Sequence, residues 1–416
     1  MNLLDAAHAA AGLTALVALC WTISEDRSSV RWRVVFAGLA LQIALAGLLV
    51  LVPWLREAVF SLNTGLQVLE RATQEGARFV FGYLAGGPAP FLQADPAASF
   101  VLAFRALPLI LVVSALSALL FYWRVLPLLV RAFSWLLEKT LGIGGAVGLS
   151  AAANVFVGMV EAPLVVKPYL AKLTRSELFM VMVCGMATIA GTVMALYAAV
   201  LAPVIPEAMG HIFIASIVAT PAAIVVAAIM VPGALSGGEH GDIPRQDTSA
   251  MDAVTRGTVE GVQLVIQIVA MLIVLVALVY LANAILGRLP DVRGSALTLQ
   301  RVLGWLFAPL AWAAGVPWSE VPAAGALLGT KTALNEFIAY LDLAKLPPGT
   351  LSDRSKVLMT YSLCGFANFG SAGILIGGMG AMVPERRGEI VQLGMKSIAA
   401  GTIATCMTAA VAGLFL

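Results

Sequence analysis

Residues 160–196, VEAPLVVKPYLAKLTRSELFMVMVCGMATIAGTVMAL, and residues 335–375, NEFIAYLDLAKLPPGTLSDRSKVLMTYSLCGFANFGSAGIL, are two versions of one pattern. Each contains a glutamate at its second position, Glu161 or Glu336, then an Ala-Lys-Leu connector, a polar turn and an apolar stretch around Cys–Gly. The run CGMATIAG at 184–191 aligns with CGFANFGS at 364–371, which sets Thr188 opposite Asn368 and Thr192 opposite Ala372. The glutamates lie 175 positions apart and the cysteines 180, a difference that the longer turn PPGTLSDRS absorbs. The shared order of hairpin, connector and interrupted helix decides the fold.

The surroundings of this repeat are those of a lipid-embedded chain. Of 416 residues, 60% are hydrophobic and 12% charged, about half the charge of a soluble domain. A crossing helix needs about 20 apolar residues, and charge-free stretches supply eight candidates: 6–24, 34–55, 106–123 (with a start near 98), 178–206, 208–232, 261–287, 357–384 and 397–416. The first reads as a span and not a signal peptide. Asp5 precedes it, no basic n-region is present, and Glu25–Asp26–Arg27 stands where a small-residue cleavage site would.

Residues 56–80 and 125–139 mix charges with apolar positions, as interfacial helices do. Residues 233–250 form a polar linker, with Gly237–Gly238–Glu239, Asp242 and Pro244. Two segments, 140–166 and 318–343, are apolar and rich in small residues, yet they break at Gly, Pro or Asn. They read as re-entrant hairpins, which membrane depth tolerates only when they are buried in protein or line a water-filled cavity.

Basic clusters at Arg27–Arg33, Lys167–Arg175, Arg245–Arg256 and Arg386–Arg387 are all cytoplasmic if both termini lie outside. Arg288, Arg293 and Arg301 then fall outside. On that topology the hairpins enter from opposite faces, which makes the repeat an inverted one. Secondary transporters build midplane sites from such repeats, where unwound backbone binds solute and cation. The fold class is therefore an all-α polytopic membrane protein with eight transmembrane helices, two opposed re-entrant helical hairpins and interfacial helices.

Net charge of +2 gives no reason to expect a nucleic-acid partner. Cys20, Cys184, Cys364 and Cys406 form no CxxC pair and read as space-filling, and His8, His211 and His240 are too scattered for a metal cluster. Glu161 and Glu336 are costly at membrane depth unless they face water or a partner, so each is a functional candidate. The plainer alternative is capping or pairing within each hairpin, with Lys331 beside Glu336. Asn154, Thr188, Asn368 and Ser371 are ordinary helix-packing hydrogen bonders taken singly; their clustering on broken helices raises them. An intramembrane enzyme using the two carboxylates would usually carry a nucleophile or metal motif, and neither HExxH nor GxSxG occurs.

The motifs ANVFVGMVEAPLVVKPYL (153–170), GMATIAGTVMALY (185–197), NEFIAY (335–340) and CGFANFGSAGI (364–374) resemble those of the concentrative nucleoside transporter family, over about residues 97 to 416. The resemblance implies a homotrimer in the lipid bilayer and sodium-driven nucleoside uptake, with a transport domain moving like an elevator against a scaffold. No organic cofactor is implied. A bacterial member would be a multi-pass protein of the inner (cytoplasmic) membrane. Residues 1–96, 97–139 and 251–317 would supply scaffold and connector, and 140–250 and 318–416 the transport repeats. Asn154 and Thr188 would give side-chain oxygens to sodium, with main-chain carbonyls of Val157 and Ile189. Glu336, Asn368 and Ser371 would bind the ribose hydroxyls. Glu161, Met159 and Val160 would face the base, and Val193 and Phe366 would pack beside base and sugar.

Met159–Val160 replaces the Gln–Thr usual in that family. Apolar groups discriminate bases less sharply than hydrogen-bonding ones, so the base preference is expected to differ. Sodium is the expected coupling ion, with a proton-coupled carrier of a nucleoside or other small polar solute as the alternative.

Overall fold

The computed structural model describes residues 3–91, 101–235, 247–292, 294 and 296–416. The expected start of the third span near 98 lies outside them. So do Arg293 and residues 236–246 of the polar linker, with Gly237–Gly238–Glu239, His240, Asp242, Pro244 and Arg245.

The chain opens with α1 (Leu3–Thr22) and α2 (Trp32–Leu51). Expected to run to 55, α2 stops at Leu51 because Pro53 begins a new helix, proline being suited to a first turn and unable to continue one. The amphipathic stretch then folds as α3 (Pro53–Phe60) and α4 (Leu62–Phe81). The third span is α5 (Leu102–Arg105) followed by α6 (Pro108–Tyr122), and α7 (Val125–Leu141) carries the second amphipathic segment.

The first repeat comprises α8 (Gly145–Ala153), α9 (Glu161–Val165), α10 (Lys167–Leu170), α11 (Arg175–Ala187) and α12 (Gly191–Leu201). Next come α13 (Ala208–Met230), α14 (Ala250–Leu286) and α15 (Leu299–Ala313). The second repeat comprises α16 (Val321–Ala333), α17 (Glu336–Ala344), α18 (Asp353–Leu363) and α19 (Phe369–Met382), and α20 (Arg387–Ala412) closes the chain.

Among the described residues, seven helical stretches are long and apolar enough to cross a membrane. The eighth expected span, 357–384, is interrupted, as the repeat pattern implies: α18 ends at Leu363 and α19 restarts at Phe369. The span expected at 178–206 is likewise split between α11 and α12. Two helices, α14 and α20, begin ten or eleven residues before their charge-free stretches because their charges are paired. At α14, Ser249 caps the Asp252 N–H and Arg256 binds both Asp247 and Glu260. At α20, Arg386 binds Glu389 and the carbonyls of Leu170 and Leu173. Helix α15 was expected only as connector; at 15 residues it is too short for a length criterion to find.

The core forms around α13, whose side chains are buried along almost its whole length and which packs against α2, α11 and α20. Helix α1 packs on α20, and α15 on α16. Helix α14, 37 residues long, instead leans on α6. Gly257 and Gly261 permit this, since a Cβ on Gly257 would meet the Ser114 carbonyl oxygen at 2.6 Å; small residues let membrane helices approach closely.

Three of the basic clusters are co-facial. Arg175 at the start of α11 donates to Glu25 after α1 at 2.9 Å, Lys396 on α20 also reaches Glu25, and Arg175 lies 3.6 Å from Glu389. The Arg175 hydrogen bonds, with help from Lys396, hold the Glu25 carboxyl below the usual glutamate range. A lowered folded-state value stabilises above the unfolded value of about 4.3 and is lost as pH falls through the folded one. The pair is partly solvent-exposed, so Glu25→Gln should cost less than about 1 kcal/mol near neutrality. Thermal melts of the two proteins should converge as pH falls below about 4.

Candidate functional site

Capping chemistry fixes the four helix breaks. In the first repeat α8 ends at Ala153 with Asn154 as its C-cap, and the chain is non-helical until α9 starts at Glu161. Helix α11 ends at Ala187, and Thr188 is extended before α12 restarts. In the second repeat Asn335 caps α17, accepting from the Ile338 N–H at 2.9 Å, which puts Glu336 in the first turn. Asn368 caps α19, accepting from the Ser371 N–H at 2.7 Å. Asparagine suits both positions because its side-chain oxygen satisfies an otherwise orphaned helix N–H.

These breaks converge. The Gly191 N–H donates to the Phe156 carbonyl at 3.2 Å, joining the first hairpin to the α11–α12 break. The Phe366 N–H donates to the Thr188 carbonyl at 3.3 Å, joining that break to the α18–α19 break. The Asn368 side-chain N–H donates to Glu336 Oε2 at 3.0 Å, bringing in the second hairpin. Glycine is required where strands of unwound backbone cross: a Cβ on Gly365 would lie 2.9 Å from the Met186 oxygen, and one on Gly191 2.8 Å from the Phe156 oxygen.

Two oxygen clusters result. On one side Thr188 Oγ1 donates to the Cys184 carbonyl at 2.9 Å and lies 3.4 Å from the Asn154 carbonyl oxygen. Asn154 donates its amide to the Ser150 carbonyl at 3.1 Å, which leaves its Oδ1 buried and without a partner. An orphaned buried acceptor is costly. This one sits at the C-terminal ends of α8 and α11, where helix dipoles favour a cation. Oxygen donors of this kind fit a hard cation. Ile189 is buried in the same break and Val157 is half-buried beside it.

On the other side the buried Glu336 carboxylate receives the Tyr197 hydroxyl on Oε1 at 2.6 Å and the Asn368 amide on Oε2. Ser371 is buried nearby on the first turn of α19. Tyr197 packs against the rings of Phe337 and Tyr340. Its role was not read from the sequence, although it ends the GMATIAGTVMALY motif and falls four residues, one helical turn, after the buried Val193. Lys331 does not pair with Glu336 as the plainer alternative had it; it binds the Ser362 carbonyl at 2.8 Å and the Thr405 hydroxyl at 2.9 Å.

The first-hairpin residues are more dispersed. Met159 is buried, its Cβ 3.0 Å from where a Cβ on Gly185 would stand. Val160 is half-buried and lies over Gly378 of α19. Glu161 is exposed, its carboxylate over Gly158 and close enough to Glu260 of α14 to be repelled by it. Phe366 is half-buried in the α18–α19 break. The four cysteines are buried and unpaired.

Residues 211–413 match a family model described as Na+ dependent nucleoside transporter C-terminus, residues 11–84 match its N-terminal counterpart, and residues 103–204 match one described as Gate: Nucleoside recognition. The chain is 36% identical over 412 residues to nucleoside permease NupC of Helicobacter pylori, covering 97% of this chain and 96% of that one. The transporter CNTnw in an inward-facing substrate-bound state superposes with a TM-score of 0.90 at 38% identity, covering 98% of both chains. A variant of CNTnw in an outward-facing state gives 0.89 at 37% identity, over 100% of this chain and 98% of that one.

Proposed function

Because this chain belongs to the sodium-dependent, or concentrative, nucleoside transporter family, we propose that it couples inward sodium movement to nucleoside uptake in a bacterial inner membrane. It is a membrane transporter, and the reading as an intramembrane enzyme falls with that membership. The observation that carries the coupling proposal is the convergence of four helix breaks with two oxygen clusters on either side. One cluster holds the orphaned Asn154 Oδ1 beside Thr188, with the carbonyls of Val157 and Ile189 to complete a sodium shell. The other holds Glu336, Asn368 and Ser371, which would take the ribose hydroxyls. The Phe366 N–H bond to the Thr188 carbonyl ties the two together. Sodium bound on one side therefore stiffens the backbone that shapes the other.

Val193 and Phe366 would flank the sugar and base, and Glu161, Met159 and Val160 would lie on the base side. With two apolar groups there, selectivity would rest on the ribose more than on the base. Alternating access would be an elevator movement. Helices α1 and α2 pack on α20 and α13, so they would travel with the breaks, and the static part narrows to α6 and α14. Along α14, Ile266, Ile273 and Tyr280 are exposed at seven-residue spacing, an apolar stripe on which three copies would meet as a homotrimer.

A thermal-shift screen of common nucleosides with and without sodium tests the coupling, since a linked ligand stabilises only the state that binds it. Ribonucleosides should raise Tm more in sodium than in choline. A shift that ignores the cation would contradict sodium coupling and favour protons. Tyr197→Phe removes the hydroxyl that orients Glu336, one hydrogen bond to a charged group worth about 1.5–3 kcal/mol. Its nucleoside KM should rise about tenfold or more with the sodium half-saturation unchanged, as measured by uptake into proteoliposomes.

A further inference from the structure

Lys331 is fully buried in the last turn of α16, with no ion pair among the described residues. A buried ammonium is expensive unless its protons are bound, and its bonds show what compensates it. Nζ donates to the carbonyl of Ser362, in the last turn of α18, and to Thr405 Oγ1 on α20. The negative ends of the α16 and α18 dipoles thus meet at its charge. The Glu336 carboxylate, already engaged by Tyr197 and Asn368, acts on it only through space.

The first repeat presents the same two helix ends. There the first hairpin helix, α8, and the first half of the broken helix, α11, end side by side at Asn154 and Thr188. They carry no basic side chain, and the Asn154 oxygen is left open. Two corresponding pairs of helix ends thus face the same kind of electrostatic demand, the end of α18 lying one turn earlier in the repeat than the end of α11, and only the second contains its own cation.

We propose that Lys331 is a tethered cation, filling at the helix ends of the second repeat the electrostatic role that a sodium ion fills at those of the first. The proposal rests on the sodium reading of Asn154 and Thr188. It makes the transporter's asymmetry a matter of one side chain: the α8–α11 junction loads and releases its cation, while the α16–α18 junction keeps its cation throughout the cycle. Lys331 is then a positioning residue, holding the end of α18 so that Asn368 meets Glu336.

Lys331→Ser opens space and leaves oxygens around it, whereas Lys331→Met keeps the length and removes the charge without making room. Melts of the purified full chain in sodium and in choline, at one ionic strength, separate these effects. Lys331→Ser should show a sodium-dependent Tm shift about twice that of the unaltered chain, because two sites are then linked to folding. Lys331→Met should show no such gain. The sodium dependence of uptake by Lys331→Ser should also steepen. A Lys331→Ser protein whose sodium response does not exceed that of the unaltered chain, or one that sodium fails to recover when it is unstable in choline, overturns the proposal. So does an equal gain in Lys331→Met. If the unaltered chain ignores sodium, the coupling reading fails by itself, and the gain specific to Lys331→Ser is still scored against choline.

Discussion

Glu336→Gln should lower nucleoside uptake about 100-fold while leaving the protein folded, because two charge-assisted hydrogen bonds of about 1.5–3 kcal/mol each are put at risk. The side chain keeps its size, so packing against α12 and α19 is preserved. Its chemistry changes in the wrong direction. Both groups already bonded to the carboxylate are donors, the Tyr197 hydroxyl on Oε1 and the Asn368 amide on Oε2. A glutamine has one acceptor oxygen and presents an NH2 to the other donor, so one neighbour must turn away. The acceptors that would take the ribose hydroxyls are lost in the same step. Uptake of a labelled ribonucleoside into proteoliposomes, with size-exclusion and melting controls, reads the effect. Uptake within about twofold of the unaltered chain, well under one hydrogen bond's worth, would remove Glu336 from the site.

Thr188→Val should raise the sodium concentration for half-maximal uptake about tenfold or more, corresponding to at least 1.4 kcal/mol, with nucleoside KM at saturating sodium little changed. Valine matches threonine in shape and lacks only the oxygen that lies beside the Asn154 carbonyl. Asn154→Ala should act in the same direction by deleting the orphaned Oδ1. The two substitutions fall on one cluster, so their effects should not add. If both leave sodium dependence intact, the coupling ion binds elsewhere.

Much of this arrangement was legible in the sequence because membrane depth makes polar residues and backbone breaks conspicuous. Asn154, Thr188, Glu336 and Asn368 stood out as polar groups on apolar, glycine-broken segments, and all four lie at or beside the converging breaks. The break points were harder to place. The stretch 357–384 is apolar enough to count as one span; the repeat marks it as interrupted, and the capping role of Asn368 fixes where α19 restarts. Hydropathy also misplaced the starts of α14 and α20, because Arg256 and Arg386 are neutralised by partners distant in sequence or a turn away. Tyr197 was invisible for a different reason: a tyrosine on a buried helix face reads as core until its hydroxyl is found on Glu336, 139 positions along the chain. Lys331 could be paired with Glu336 by proximity in sequence, yet its helix turns the amine toward Ser362 and Thr405.

Accumulation against a gradient decides whether sodium movement drives nucleoside uptake through this site. Purified protein in liposomes would be given an inward sodium gradient, or choline in its place, at one pH and with the membrane potential clamped. A labelled ribonucleoside should rise above its external concentration only with the sodium gradient and leak back when that gradient is dissipated. Equal accumulation in choline, or accumulation that follows an imposed pH gradient and ignores sodium, would rule out sodium coupling.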